Sequence, residues 1–327
     1  MTGKGIRSTP AWNSVRERAL ATSHPMHGHD HTHDHGASTR AFAVVTLINL
    51  AYTALEAGYG FATDSLALLS DALHNLGDVL GLGLAWGAAA LARRRPTGRH
   101  TYGWRRATLL SPLANAALLI AFSGALAWEA VRRLGAPPQV PAMPVIVVAA
   151  IGIAVNLGAA WFVRGGHAHD LNRRGAFLHL VADAAVSLAA VLAGIGMLTL
   201  GWRWLDPVTA LLVGAVVAAG AFGLLRDSFD AAMDAVPRGV DQAAVQAFLA
   251  AQPGVSAVHH VHIWPLGSDE VAMTAHLVRA QDGDHDAFLA RLVHELDVRF
   301  GIDHPTLQIE RGGACGHDGH GETAHAH

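Results

Sequence analysis

Two pairs of ionisable residues, each spaced four positions apart, lie inside otherwise apolar stretches of the sequence. His74 precedes Asp78, and His179 precedes Asp183. Residues four apart share one face of a helix, so each pair would present an imidazole and a carboxylate in the same direction. Two imidazoles and two carboxylates form a complete tetrahedral ligand shell for Zn²⁺. The two pairs together predict a metal site built by two helices.

A purely structural interpretation of these residues stays open. A His–Asp pair inside a membrane helix can also serve as a hydrogen bond between helices. Two copies, in apolar stretches that hold no other histidine, favour the metal site. For Asn49, Glu56 and Asn75, support of the ligands and simple interhelical hydrogen bonding fit the sequence equally well. Asp71, on the same stripe as His74, could line an exit path or face water.

The composition indicates that these helices lie in a membrane. Hydrophobic residues make up 51% of the 327 residues and charged residues 15%, against about 25% charged residues in a typical soluble domain. A helix needs about 20 apolar residues to cross the hydrocarbon core. Six stretches are long enough, and they cover residues 41–62, 66–92, 108–131, 140–163, 176–200 and 205–225. Asp64 or Ser65 is expected to cap the second helix, and Asp206, followed by Pro207, the sixth.

Arginine and lysine residues concentrate in the N-terminal tail and in the second and fourth connections between these spans. Because cytoplasmic loops carry an excess of Lys and Arg, both termini are expected in the cytoplasm. The sequence therefore predicts an integral protein of the cell inner (plasma) membrane, in contact with lipid. A net charge of −3 gives no indication of a nucleic-acid partner. The single cysteine, Cys315, excludes an internal disulfide framework.

After Arg226 the sequence takes on the pattern of a small soluble domain. Helical periodicity at 241–251 and 286–300 alternates with strand patterns at 255–263, 270–277 and 305–310. The order αββαβ predicts two helices on one face of a three-stranded, ferredoxin-like sheet. The expected fold class is thus an α-helical membrane protein with six transmembrane helices and a small cytoplasmic α/β domain at its C-terminal end.

Four segments follow from these patterns. Residues 1–39 are expected to form a His-rich flexible cytoplasmic tail, and residues 40–226 the transmembrane domain. Residues 227–311 are expected to form the cytoplasmic α/β domain for metal binding and dimerisation. Residues 312–327 form a second His-rich tail. Clustered imidazoles in both tails have the composition of metal-binding tracts. His167 and His169 could capture metal at the cytoplasmic mouth or be plain loop histidines.

Several motifs resemble those of the cation diffusion facilitators. "SLALLSDALHNLGDVLGL" is similar to their second-span signature, and "FLHLVADAAVSLAAVL" is similar to the fifth. "RHTYGWRRATLL" and "VHHVHIWPLG" resemble their second cytoplasmic loop and the start of their cytoplasmic domain. The resemblance covers about residues 40–311. It implies a homodimeric exporter of divalent metal driven by inward proton flow. The His-plus-Asp pairs resemble the zinc-preferring branch of bacterial zinc and cadmium exporters.

The resemblance also implies a regulatory zinc in the cytoplasmic domain. His259, His276 and His285 match positions that bind this zinc in the family. Gln308 and Glu310 fall where some members carry a His and a carboxylate, and Gln308 departs from that pattern. One metal, with Glu310 as a ligand, is therefore expected in place of a binuclear site. The alternative is that these are half-exposed strand histidines.

Strand alternation makes a separate prediction for the histidines at the start of this domain. His260 and His262 should share one face of the strand, with His259 on the other. His262 and Trp264 are expected to serve in packing or in dimer contacts rather than as ligands.

The predicted function is secondary active export of divalent metal, with Zn²⁺ favoured, from the cytoplasm in exchange for protons. Zn²⁺ would be the transported substrate and also a regulatory ligand. Export mainly of Cd²⁺, Co²⁺ or Ni²⁺ is the alternative within transport, since geometry decides metal choice. A membrane metal sensor would not explain paired ligands at membrane depth. An enzyme is not expected, because a metalloenzyme needs an open coordination position and a general base.

Overall fold

The apolar stretches of the sequence form long helices. The computed structural model describes residues 35–164, 171–280 and 284–311, with side chains for 46–162, 174–280 and 284–311. Six long helices follow one another in these residues: α1 (His35–Thr63), α2 (Leu66–Ala92), α3 (Ala107–Gly135), α4 (Ala142–Arg164), α5 (Leu171–Leu200) and α6 (Leu205–Ala232). Helices α2 to α6 each contain a segment long and apolar enough to cross a membrane. Of residues 1–43, the structure describes only the start of α1, from His35 onward.

The connection between α1 and α2 is the tight turn that the sequence predicts. Asp64 adopts a left-handed backbone conformation with φ 56°. The hydroxyl of Ser65 accepts a hydrogen bond of 3.3 Å from the backbone N–H of Leu68. Ser65, and not Asp64, is therefore the N-cap of α2.

Asp206 has a different role from the one expected. The N-cap of α6 is Trp204, which makes no side-chain capping bond. The Asp206 carboxylate instead accepts hydrogen bonds from the backbone N–H groups of Leu66 at 2.9 Å and Ala67 at 3.2 Å. The prediction that Asp206 caps its own helix is therefore wrong. Its carboxylate serves the first turn of α2, where the backbone N–H groups lack partners within the helix.

The helices associate most extensively in two pairs. Helix α4 packs along α5, and α3 packs along α6. Helix α2 contacts α3 and α6 more extensively than it contacts α5. Helix α2 therefore belongs with α3 and α6, and the predicted metal ligands lie where this group meets α5.

The C-terminal part has the predicted order of helices and strands. It comprises α7 (Gln242–Ala250), β1 (Val255–Pro265), β2 (Val271–Arg279), α8 (His285–Phe300) and β3 (His304–Glu310). The sheet order is β1-β2-β3, with β1 and β2 antiparallel and β2 and β3 parallel. One apolar core joins both helices to the sheet, with Leu249, Leu292 and Leu277 fully buried in it. Both helices therefore cover the same face of the sheet, as the sequence predicts.

Strand β1 contains a β-bulge in its histidine-rich segment. His259 pairs with His276 and His262 with Thr274, so two residues of β1 oppose one of β2. His260, inside the bulge, has a left-handed backbone with φ 51°. The bulge breaks the regular alternation of side chains. The expectation that His259 and His260 lie on opposite faces is wrong, because their ring centroids are 5.1 Å apart.

The connection between α2 and α3 contacts the C-terminal domain. Arg105 forms an ion pair with Glu270, and Arg106 forms one of 2.6 Å with Asp234. Helix α6 continues to Ala232, beyond its expected end at residue 225, and so leads directly to the second of these contacts. Charged residues at the end of the helical bundle thus join it to the α/β domain.

Candidate metal centre

The four residues of the two His–Asp pairs converge where α2 meets α5. His74 Nε2 lies 3.1 Å from Asp183 Oδ1, and His179 Nε2 lies 3.1 Å from Asp78 Oδ2. His179 Nε2 also lies 3.6 Å from Asp183 Oδ2. Each imidazole therefore faces the carboxylate of the opposite helix.

These separations suit one small dication. Two ligand atoms of a tetrahedral zinc are about 3.3 Å apart, given metal–ligand bonds of about 2.0–2.1 Å. The observed separations of 3.1 Å are close to that value. One ligand atom from each of His74, Asp78 and Asp183 lies within 4.8 Å of the others. His179 lies outside this set of three, because its ring centroid is 6.0 Å from that of His74, although its Nε2 lies within 3.6 Å of both carboxylates. The helices thus hold three of the predicted ligands within reach of a shared ion, with His179 beside them.

Exposure of the four side chains changes along the helices. The side chain of Asp183 is 2% exposed and that of His74 is 22% exposed, whereas those of Asp78 and His179 are 43% and 48% exposed. Asp78 and His179 are the members of their pairs closer to the arginine-rich connection after α2 and to the start of α5, respectively. The two predicted ligands nearer the arginine-rich connection are therefore the more exposed, and the two farther from it are the more buried.

A buried polar network lies on the side of the two more buried ligands. Tyr52 donates a hydrogen bond of 2.7 Å to Glu56 Oε1, and Asn75 donates one of 3.2 Å to Glu56 Oε2. Ser187 donates one of 2.8 Å to Asp71 Oδ2. Asp71 is 1% exposed and does not face water, which corrects that alternative. The network joins α1, α2 and α5 directly beside the predicted ligands.

Gly152 of α4 makes this network possible, although no pattern in the sequence indicates its role. A Cβ atom at this position would lie 2.2 Å from the Tyr52 hydroxyl oxygen and 3.0 Å from Ser187 Oγ. Since real Cβ contacts are longer, only glycine admits the Tyr52 side chain here. The contact depends on the packing of α1 and α4, which no local pattern reveals.

The sheet of the C-terminal domain brings together a second set of metal-ligating groups. His259 Nε2 lies 3.1 Å from Glu310 Oε2, and His276 Nδ1 lies 2.8 Å from Glu310 Oε1. One ligand atom from each of the three residues lies within 4.8 Å of the others. Two imidazoles and a carboxylate are ligand types that fit Zn²⁺. Gln308 donates a hydrogen bond of 3.2 Å to Glu310 Oε1.

His285, the remaining predicted ligand, lies apart from this set. Its Nδ1 is 3.1 Å from a guanidinium nitrogen of Arg279, and its Nε2 is 3.1 Å from one of Arg311. The structure thus places two cationic groups at the nitrogens that would have to bind a metal. The tail histidines and the loop residues His167 and His169 lie outside the residues whose side chains are described.

Comparison with known proteins adds an independent finding. The sequence model of the cation efflux transmembrane domain matches residues 42–231, and that of the cation efflux protein cytoplasmic domain matches residues 237–312. The chain belongs to the cation efflux family. It is therefore an integral membrane protein, and the resemblance noted from its motifs is confirmed.

Similar proteins support the same assignment. The zinc transporter ZitB of Escherichia coli is 34% identical, over 92% of this chain and 98% of that protein. The cadmium, cobalt and zinc/H(+)-K(+) antiporter of Bacillus subtilis is 33% identical, over 86% of this chain and 91% of that protein. The metal cation efflux system protein CzcD of Cupriavidus metallidurans is 33% identical, over 86% and 90%. These relatives are named as transport proteins, in agreement with the expectation of a transporter and not an enzyme.

A solved structure of the metal-bound C-terminal domain of a CzcD transporter is also similar. It is 36% identical, covers 22% of this chain and 99% of its own, and has a TM-score of 0.21.

Proposed function

We propose that this protein exports a divalent metal ion, with Zn²⁺ as the favoured substrate, from the cytoplasm in exchange for protons. The observation that carries the proposal is the crossed arrangement of the two His–Asp pairs. His74 faces Asp183 and His179 faces Asp78, each at 3.1 Å. Four ligands of this kind fill a tetrahedral shell and leave no open position for hydrolytic chemistry. Membership of the cation efflux family supports transport as the outcome of metal binding.

Exchange with protons follows from the chemistry of the ligands. Imidazole binds metal only as the neutral base, and carboxylate only when ionised, so metal and protons compete for the same atoms. His74 and His179 are the natural exchangers, because imidazole titrates nearest neutral pH. Metal would load where protons are scarce, and protons would displace it on a more acidic side.

The direction of access supports loading from the cytoplasm. The arginine-rich connection between α2 and α3 is assigned to the cytoplasm by its charge, and the more exposed ligands, Asp78 and His179, lie toward that side. The buried network around Glu56 and Asp71 closes the other side. This corresponds to an inward-open form of a carrier that alternates access around a central site. Both termini would then be cytoplasmic and the protein would lie in the inner (plasma) membrane.

The choice among metals depends on geometry more than on ligand affinity. A tetrahedral set of two nitrogens and two oxygens suits Zn²⁺. The similar antiporter of Bacillus subtilis is named for cadmium and cobalt as well as zinc. Export of Cd²⁺ and Co²⁺ is therefore the second candidate, through the same four residues.

The cytoplasmic domain would serve in regulation and dimerisation. His259, His276 and Glu310 provide three ligands for a resident zinc, which would hold the edge strands β1 and β3 to each other across β2. His262 and Trp264 on β1 remain candidates for contacts between two copies of the chain. The family match of this domain supports a homodimer.

Transport by the purified protein in liposomes tests the export proposal. Vesicles with an imposed pH gradient and a panel of Zn²⁺, Cd²⁺, Co²⁺ and Ni²⁺ are expected to take up Zn²⁺ and release protons. His179→Ala should abolish this uptake, whereas His100→Ala should not, because His100 stacks on Trp104 in the connection after α2. Normal zinc transport by His179→Ala would refute the assignment of the centre.

A further inference from the structure

The β-bulge of β1 places His260 in a conformation that few residues adopt. Its φ of 51° lies in the left-handed region, which is uncommon for residues other than glycine, although histidine is enriched there relative to most. A bulge with a left-handed residue at this point usually contains glycine. Backbone strain of this kind clusters at functional sites, so the position of the His260 side chain calls for examination.

The side chain of His260 completes a triangle of imidazole rings. The ring centroids of His259 and His260 are 5.1 Å apart, those of His260 and His276 are 5.2 Å apart, and those of His259 and His276 are 5.2 Å apart. Three imidazoles bound to one tetrahedral zinc have centroids about 5 Å apart, because each ring lies along its metal–nitrogen bond of about 2.0–2.1 Å. The three rings thus have the mutual spacing of ligands to one ion.

We propose that His260 is a ligand of the cytoplasmic metal site, so that Zn²⁺ is held there by His259, His260, His276 and Glu310. This inference rests on the proposed metal-binding role of the cytoplasmic domain and names its fourth ligand. The ligand atoms that already lie within 4.8 Å of one another are those of His259, His276 and Glu310, so the His260 ring has to turn to direct a nitrogen at the ion. Because His260 is exposed on the surface of the sheet, this rotation does not require repacking of the core.

A fourth ligand from His260 would compensate for two differences from the ligand pattern of the family. Gln308 stands where some members of the family carry a histidine, and its amide donates a hydrogen bond to Glu310. His285 is held between two guanidinium groups. The bulge supplies a replacement from the strand itself, because it moves His260 to the same side as His259.

Local hydrogen exchange in the intact protein tests this proposal. Full-length protein in detergent is titrated with buffered free Zn²⁺, and exchange is measured by mass spectrometry in the segment 255–279. Zinc is expected to protect this segment, since it joins β1 to β2 and β3. A local readout separates this site from the transport centre and from the histidine-rich tails.

Two substitutions separate the ligand from the backbone geometry. His260→Gly and His260→Asn both suit the left-handed conformation but remove the imidazole. Each should raise the free-zinc midpoint of protection by about 10-fold or more, with unchanged or slower exchange in the absence of added zinc. His262→Asn, on the same strand, should leave the midpoint unchanged, and His259→Asn should raise it.

The outcomes distinguish an error in the role of His260 from an error in the cytoplasmic metal site as a whole. A parental midpoint in both His260 variants, together with a raised midpoint in His259→Asn, would overturn the role of His260 and leave the cytoplasmic site standing. Parental midpoints in all of these variants would show that the cytoplasmic site itself is wrong. Export remains separately tested by the liposome assay with His179→Ala.

Discussion

Asp206 accepts a hydrogen bond of 2.6 Å from the hydroxyl of Ser65, although 141 positions separate the two residues. The carboxylate also accepts hydrogen bonds from the backbone N–H groups of Leu66 and Ala67. It is fully buried. The start of α6 is thereby fixed to the start of α2, the helix that carries His74 and Asp78.

Removal of this carboxylate should destabilise the helical bundle. Asp206→Ala leaves a hydroxyl and two backbone N–H groups without their acceptor, so we expect a loss of about 3 kcal/mol in the free energy of unfolding. Asp206→Asn keeps one acceptor oxygen and should lose less. Thermal unfolding of the detergent-solubilised protein measures both. Equal stability of the alanine variant and the parent would contradict the role given to Asp206.

A methyl group at Gly152 should disturb the network beside the metal centre. Gly152→Ala would press on the Tyr52 hydroxyl, since the added atom would lie 2.2 Å away, and should slow zinc transport by about 10-fold or more through loss of the Tyr52–Glu56 contact. Gly158→Ala is the matched control on the same helix, because nothing lies within 4 Å of its Cβ position. The measurement is the rate of zinc uptake into liposomes by each of the two variants. The prediction fails if the two variants transport equally well.

His285 and His276 should differ in their effect on cytoplasmic zinc. His276 faces Glu310 at 2.8 Å, whereas both nitrogens of His285 face arginine side chains. We expect His276→Asn to raise the free-zinc midpoint of local protection by about 10-fold or more and His285→Asn to change it less than about twofold. Hydrogen exchange of the segment 255–279 provides the measurement. A large effect of His285→Asn would restore it to the ligand set.

Zinc loading should weaken as the cytoplasmic pH falls. Protons compete with zinc for His74 and His179, so the apparent KM for zinc should rise with acidity, by up to about 100-fold per pH unit when two imidazoles must each lose a proton. Initial rates of uptake over a series of zinc concentrations, between about pH 8 and pH 6, give this dependence. His100→Ala should retain the parental pH profile. A KM that does not change over this range would show that protons do not compete at the centre.

The sequence predicted the helices and pointed to the His and Asp side chains that meet between α2 and α5, because both depend on local patterns. Length and apolar composition locate α2 to α6, and the four-residue spacing of His74 and Asp78 fixes their shared face. The pairing of each histidine with the opposite helix's aspartate was not predictable, because it depends on how α2 and α5 approach each other.

The errors have the same physical origin. Asp206 followed by Pro207 has the local pattern of a helix cap. The Asp206 carboxylate nevertheless accepts its hydrogen bonds from the start of α2 and not from α6. Alternation of side chains along β1 assumes a regular strand, and one inserted residue at His260 changes which histidines meet. In both cases a tertiary contact outweighed a sound local preference.

The distribution of helix contacts has a consequence for the effects of mutations. The broad interfaces, α3 on α6 and α4 on α5, lie within groups of helices, and the predicted metal ligands lie where these groups meet. Residues that maintain the fold are thus largely separate in space from those that handle the ion. Substitutions where α5 contacts the group of α2, α3 and α6 can therefore change the ion preference or the transport rate in small steps while the protein still folds and inserts into the membrane.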